Sequence, residues 1–518
     1  MLLCVALVPL LFAAYTHQAW EDYYITLRSS QNLAEGHGLV YQVGEKVHTF
    51  TSPLGVLVPA LGFKLTGGDL GALWFLRIVS ALAVAATAAL VLRHAHEHGW
   101  SRGAGLFAVV AGLLEAKIVA CTVNGMEAGF LVFFTALAWT ELLRPAGPRR
   151  LVLAAAYAGL MWTRPDACVL AAAMTIAAAL FTAKTAPGGW RAWSGAVVSG
   201  ILLGGLLYAP WFLWAWHYYG SPIPQTIIAK SIYAPKLSLT RILLAPWNCL
   251  VNRTALDVIY MPMYALGGWP DAVFLFGKVF ARLAAFAWIL PGVPRPARAA
   301  SFALLLGGVY LQQIMPYPWY FPPWTLLGAI GLAGAGGALL ARVGPRFTSS
   351  ARIVAGVTAG LIVGLTVAQG WSARVQQDLI EEHGRKQIGL WLREHAAPGD
   401  TVFLEPIGYI GYFSRLKILD YPGLVAPEVS NIIRSGGRGG YARLIDDLRP
   451  NWLVLRPYEL AQQNLMNSPT LAAYTPIELW SQRSKIDAHT FLPGRPWVEF
   501  DAEFVVFQRK PDAPVKGP

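Results

Sequence analysis

Two adjacent carboxylates, Glu21 and Asp22, directly follow the first apolar segment of this 518-residue chain. Acids at the edge of a bilayer are costly to place, so they are functional candidates by default. A carboxylate held there can take a proton from an attacking hydroxyl. Asp22 is the candidate general base. Glu21 can share that role, position an acceptor, or raise the pKa of Asp22 by repulsion. A second set could hold an anion: Lys230 and Arg164 first, Arg28 in reserve, and Lys278 with Arg282 one helical turn apart. Arginine offers a phosphate two parallel bonds, and lysine a point charge. Arg28 and Arg164 also have structural alternatives, a snorkelling side chain and an ion pair with Asp166. His94, His96, Glu97 and His98 have metal-binding side chains but sit in a basic loop, and read as solvated. No ligand set is strong enough to name a metal or another cofactor, and a divalent ion stays open.

The elements that must position these groups are membrane helices. The chain is 55% apolar and 14% charged, against about 25% charged in a soluble domain. About 20 apolar residues cross the hydrocarbon. Candidate spans lie near 2–19, 71–92, 103–122, 128–143, 151–165, 167–183, 193–216, 271–290, 299–315, 323–341 and 353–370. The expected class is therefore mainly α: a polytopic domain of about eleven transmembrane helices over residues 1–370, and an α/β domain over 371–518. The first segment lacks a basic leader and a good cleavage site, and is expected to stay as an uncleaved span. The net charge of +12 does not point to nucleic acid, because the arginines sit in short loops between apolar segments. Those loops carry Arg93 and Arg102; Arg144, Arg149 and Arg150; Lys184 and Arg191; Arg295 and Arg298; and Arg342, Arg346 and Arg352. They alternate along the chain, so the positive-inside rule places them in the cytoplasm. The four cysteines show no metal or disulfide spacing and read as small buried hydrophobes.

That orientation sends the long loops 20–70 and 217–270, and the tail, to the outer face of a bacterial inner membrane. Glu127, Asp166, Trp319 and Tyr320 arrive there too. Glu127 also suits a helix cap, and Trp319-Tyr320 an interfacial aromatic belt. Nucleotide sugars are absent outside, and no glycine-rich nucleotide loop occurs on the cytoplasmic side. A transferase built this way needs a donor delivered in the membrane, and a polyprenyl-phosphate sugar meets that need. In the first loop, 23–34 suits a helix in the interface plane. Gly36-His37-Gly38 ends it, 40–48 alternates like a small hairpin, and Pro53 opens a second short helix over 53–65. In the tail, 378–395 reads as a helix, 436–440 as a turn, and 401–404, 417–419, 452–455 and 504–508 as strands.

The first-loop pattern, Glu21-Asp22-Tyr23-Tyr24-Ile25-Thr26-Leu27-Arg28 through Asn32, Gly36-His37-Gly38 and Thr51-Ser52-Pro53-Leu54, resembles that of GT-C glycosyltransferases. It is similar in particular to the branch of mycobacterial terminal arabinofuranosyltransferases and their bacterial relatives. Asn124-Gly125-Met126-Glu127, Thr163-Arg164-Pro165-Asp166, Tyr218 to Lys230, and Gly408-Tyr409-Ile410-Gly411-Tyr412 with Asp420 fit the same branch. Three departures bear on sugar identity: Glu21 replaces an aspartate, His48 a glutamate and Gly55 a tryptophan. The resemblance implies transfer of a sugar, arabinofuranose as the first guess, from polyprenyl phosphate to a hydroxyl of a glycan, glycolipid or protein. It implies acceptor or sugar contacts at Asn32, His48, Thr51, Ser52, Glu127 and Asp166, and Trp319 and Tyr320 are aromatic rings on which a sugar could stack. The competing class is a transporter or flippase of lipid-linked glycans. That class needs ionisable residues deep in the spans, where only Glu115 and Lys117 stand out, and often two repeated halves, of which none is evident.

Overall fold

The computed structural model describes residues 2–263, 268–343, 345–436 and 440–511. The membrane part contains α1 (Leu2–Thr16), α2 (Glu21–Ala34), α3 (Pro53–Thr66), α4 (Asp69–Glu97), α5 (Arg102–Leu113), α6 (Ala116–Val123), α7 (Ala128–Leu142) and α8 (Arg150–Thr163). It continues through α9 (Ala167–Phe181), α10 (Gly189–Tyr219), α11 (Gln225–Ser231), α12 (Leu239–Val251), α13 (Asp271–Phe286), α14 (Arg295–Leu311), α15 (Pro322–Val343) and α16 (Pro345–Gln376). Every predicted span falls on a helix. By length and composition, however, five helices among the described residues can cross a bilayer, or seven if each of two bent pairs counts as one span. The count of eleven is not reproduced. Helices α7, α8 and α9 have 14 or 15 residues, about 22 Å against about 30 Å of hydrocarbon.

The predicted span 103–122 is broken by its own acid. The Glu115 carboxylate caps α6, accepting from the N–H groups of Lys117 at 3.0 Å and Ile118 at 3.2 Å, and α5 and α6 meet at 57°. Lys117 pairs with Glu115 at 3.2 Å and donates to the Val258 carbonyl at 2.8 Å. The two intramembrane charges thus neutralise each other and pin the second long loop. The His94 reading is corrected as well. It is fully buried near the end of α4, edge-on to His98 at 4.4 Å and to Trp100 at 5.5 Å. The chain after α4 folds back through Trp100 and covers it.

In the first loop α2 and α3 form as predicted. Ser52 caps α3 by accepting from the Gly55 N–H at 2.8 Å, with Pro53 in the first turn. The expected hairpin at 40–48 contains no strand. Carbonyls that a ladder would use are taken: Val40 and Tyr41 accept from the Asn32 amide at 2.8 and 3.1 Å, and His48 from the Gln225 N–H at 2.7 Å.

The last membrane helix runs on into the tail without a break. Following α16, residues Gln377–Arg385 are π-helical, where the sequence reads as ordinary helix, and α17 (Lys386–His395) continues them. Then come β1 (Thr401–Leu404), α18 (Gly408–Ser414), β2 (Lys417–Asp420), β3 (Trp452–Leu455), β4 (Tyr474–Ser481) and β5 (Glu503–Arg509). The sheet order is β2-β1-β3-β5-β4. β1 is parallel to β2 and β3, with Phe403 opposite Leu419 and Leu453; β5 is antiparallel to β3 and β4. Of the predicted turn at 436–440, residues 437–439 lie outside the described residues.

Candidate active site

The turn between α1 and α2 is built to hold two acids in place. The helices meet at 97°, so α2 leaves the line of the span, and Glu21 and Asp22 open its first turn, where the helix dipole favours negative charge. Arg77 is buried beneath and donates to the carbonyls of Val123 at 2.7 Å and Gln18 at 2.8 Å. The Trp20 N–H donates to the Asn124 carbonyl at 2.6 Å, and the Ala19 N–H to Gln377 Oε1 at 3.0 Å. Gly125, at φ 98°, allows the ring of Tyr23 to lie on the backbone; a Cβ there would overlap it.

The tail closes over this turn. Tyr24 of α2 packs on Tyr409 and Tyr412 of α18, with ring centroids 4.2 and 5.0 Å apart. Tyr409 Oη donates to the Ala19 carbonyl at 3.1 Å. The Gly408 N–H donates to Glu21 Oε1. Any Cβ at position 408 would collide with the Glu21 carbonyl oxygen, so only glycine permits this approach.

Glu21 and Asp22 are not equivalent. Burial pushes the Glu21 carboxyl well above the usual carboxylate range. Burial also raises Asp22, but the Lys230 ammonium and a hydrogen bond with Glu21 oppose the rise. Glu21 is thus the member suited to keep a proton, and Asp22 the one suited to accept one. Lys230 lies on α11, which Gln225 ties to the tail through the Gly423 carbonyl and Ser430 Oγ, each at 2.9 Å. Its Nζ stands 4.7 Å from the ring centroid of Tyr317 and 6.0 Å from that of Trp319, and the two rings stack 4.9 Å apart. Among the described residues no carboxylate forms an ion pair with Lys230.

Of the other proposed phosphate ligands, the three arginines are already spent. Arg164 Nη1 bonds Glu127 at 2.8 Å, its Nε bonds Asp166 at 2.9 Å, and the guanidinium lies 4.3 Å from the Tyr320 ring centroid. Two acids more than balance its charge, so Arg164 shapes the wall with Glu127, Asp166 and Tyr320 rather than offering a free cation. Glu127 makes no side-chain cap to α7. Arg28 is buried under the tail and donates to the carbonyls of Gly411 at 2.8 Å and Leu416 at 3.1 Å. Arg282 is tied to Asp257 at 3.0 Å and to the carbonyls of Leu250 and Asn252 at 2.7 Å, while Lys278 is exposed on α13. Neither joins Asp22.

Most of the first-loop residues expected to make polar contacts are engaged within the fold. Asn32 and Ser52 hold backbone. His48 is buried and stacks on Tyr219 at 4.7 Å; burial lowers its pKa to about 4 and keeps the ring neutral. Thr51 is half-buried just before the Ser52 cap. Trp319 is buried in the aromatic floor. Among the described residues no three His, Cys, Asp or Glu side chains gather into a group that could hold a metal.

Sequence reasoning expected the tail to cover the site but singled out none of its charged residues. Glu405, just after β1, lies close enough for its charge to act on Asp22 and on Tyr317. Arg456, just after β3, holds it at 2.8 Å. A buried chain of charge runs behind them: Arg456 to Asp501 at 2.5 Å, Asp501 to Arg385 at 2.5 Å, and Arg385 to Glu381 at 2.9 Å. An acid and a base directly following two parallel strands are the signal that could have been read.

This arrangement can be set beside known proteins. Residues 373–501 match a family described as a domain of unknown function (DUF8728). No curated protein matches the chain. The structure of ArnT from Cupriavidus metallidurans bound to undecaprenyl phosphate aligns over 100% of this chain and 98% of its own, at 14% identity and a TM-score of 0.55. The oligosaccharyltransferase AglB of Archaeoglobus fulgidus, in complex with an inhibitory peptide and a dolichol-phosphate, aligns over 93% and 73%, at 11% identity and a TM-score of 0.53. The chain shares the fold of these two structures, a GT-C fold. The mycobacterial arabinofuranosyltransferase AftD aligns over 100% of this chain and 40% of its own at 15% identity, but its TM-score of 0.49 is too low to bear on the sugar. Within the GT-C fold described here, the first loop and the tail meet at Asp22.

Proposed function

We propose that the chain is a glycosyltransferase of the GT-C type that moves a sugar from a polyprenyl-phosphate donor to a hydroxyl on a glycan, glycolipid or protein. The observation that carries this reading is Asp22 within the field of Lys230, an ammonium that stands over the Tyr317–Trp319 floor and forms no ion pair with a carboxylate among the described residues. Asp22 takes the acceptor's proton as the acceptor oxygen bonds the anomeric carbon. The bond from that carbon to the phosphate oxygen breaks, and polyprenyl phosphate leaves with the electron pair. Lys230 meets the charge that grows on the phosphate, and Glu21, protonated, steadies the Asp22 carboxylate. ArnT and AglB, solved with lipid phosphates, support a donor of this kind. Arabinofuranose is the sugar the first-loop resemblance implies, and a hexose or a modified pentose meets the same demands. Alternating basic loops support an outer-face site in a bacterial inner membrane. The neutralised, locked Glu115–Lys117 pair favours transfer over transport.

The test uses the full chain in nanodiscs and a deletion strain. Undecaprenyl phosphate should bind the wild type and Asp22→Asn alike, and bind Lys230→Ala weakly. Mass spectrometry of envelope glycans and glycoproteins should find one sugar missing in the deletion strain, restored by wild type and not by Asp22→Asn. Restoration by Asp22→Asn would sink the assignment of the base.

A further inference from the structure

We propose that Glu405 is the acceptor-binding residue of this site, and that it receives hydroxyl groups of an uncharged saccharide at the carboxyl edge of the tail sheet. This rests on the glycosyltransferase reading and goes on to name the class of acceptor.

The topology points to that edge independently of the membrane part. After β1 the chain crosses to β2 on one side; after β3 it goes to β4 and β5 on the other. Neighbouring parallel strands whose connections depart in opposite directions leave a crevice at their carboxyl ends, and ligands of open α/β sheets bind there. The residues at the mouth of this crevice are Glu405 after β1 and Arg456 after β3. Three residues beyond Glu405, the Gly408 N–H is bonded to Glu21. The crevice therefore opens against the first turn of α2, where Asp22 stands.

The side chains divide as a binding pair should. Arg456 is 3% exposed and fixed by Asp501 at 2.5 Å and Glu459 at 3.2 Å, whereas Glu405 is 42% exposed. Arg456 takes Glu405 Oε2 at 2.8 Å. Oε1 has no hydrogen-bond partner among the described residues, and a carboxylate has room for more donors than one guanidinium supplies. A carboxylate already oriented loses little freedom on binding. Ionised, it accepts hydrogen bonds and cannot donate them, so it suits sugar hydroxyls and repels another anion. With Asp22 beside it, an acceptor bearing phosphate or carboxylate at this position is disfavoured.

The experiment measures binding without turnover. Wild type and variants in nanodiscs, loaded with undecaprenyl phosphate, are probed by saturation-transfer NMR with methyl arabinofuranoside, methyl glucopyranoside and methyl glucuronide. The neutral glycosides should bind wild type, and the glucuronide at least about tenfold more weakly. Glu405→Ala should lose the neutral glycosides by about tenfold while undecaprenyl phosphate affinity stays within about twofold. Glu405→Gln should recover part of the neutral binding and admit the glucuronide. Unchanged neutral binding in Glu405→Ala overturns the proposal. So does equal binding of charged and neutral probes, or of neither, to wild type. Parallel loss of both lipid and glycoside with a lowered Tm marks a merely structural role and overturns it too. If undecaprenyl phosphate fails to bind wild type, the glycosyltransferase reading itself falls.

Discussion

Glu21 and Asp22 are neighbours in sequence with opposite duties, and substitution can separate them. A protonated carboxyl is well imitated by an amide, so Glu21→Gln should keep most of the transfer activity and Glu21→Ala should lose it. Loss in Glu21→Gln as deep as in Asp22→Asn, where about 10²–10⁴-fold is at stake, would move the base to position 21. The pH profile gives a second check. The base works as its anion, so activity falls as pH drops through its folded pKa. Burial raises that pKa, so the acid limb should lie above the value of about 4 for a free aspartate. An acid limb at or below 4 would contradict the buried setting. At this scale the sequence showed where charge stood but not what it was bound to. Asp22 and Lys230 could be picked out from position alone. Arg164 stood level with Lys230 and Arg28 stood in reserve, and only the fold shows Arg28 spent on carbonyls and Arg164 on two acids.

Between elements, the decisive contact is α18 on α2. Gly408→Ala inserts a methyl group where the Glu21 backbone lies, a crowding that costs about 1–3 kcal/mol. Hydrogen exchange should rise in residues 20–30 and 405–414 together, with activity falling; exchange confined to one segment would show that the two do not hold each other. Strands β1, β2, β3 and β5 were readable because short apolar runs between turns have few other uses. β4 was not, because its residues are mostly exposed and carry no inward stripe. The hairpin failed for a different reason: alternation was present, but Asn32 and Gln225 claim carbonyls that a ladder would need.

Across the whole molecule, the tail is joined to the membrane part by one continuous run of helix from 345 to 395, and a buried network of ions ties the end of that helix to the sheet. Asp501 lies between Arg385 and Arg456, and all three are buried. Removing it in Asp501→Ala strips each guanidinium of its shortest ion pair and leaves Arg385 with Glu381 alone and Arg456 with Glu459 and Glu405, which should cost up to about 3–5 kcal/mol. A thermal melt of the full chain should show the loss as a lowered Tm, and an unchanged Tm would mean that the network carries no strength. The membrane character of the chain was legible because apolar runs of this length have one common use. The number of crossings was not, because hydropathy cannot see a capped break such as Glu115 or a run that folds as a short helix. The π-helical stretch has a consequence of its own. Each residue of a helix advances the next by about 100°, so the wide turn at 377–385 sets the angle at which everything beyond it faces the bundle. It aims Gln377 at Ala19 and Arg385 at Asp501. Deleting a single exposed residue there, His383 for instance, would tighten the coil and swing the sheet about the axis of its own stalk, carrying Glu405 away from Asp22 with every strand still folded.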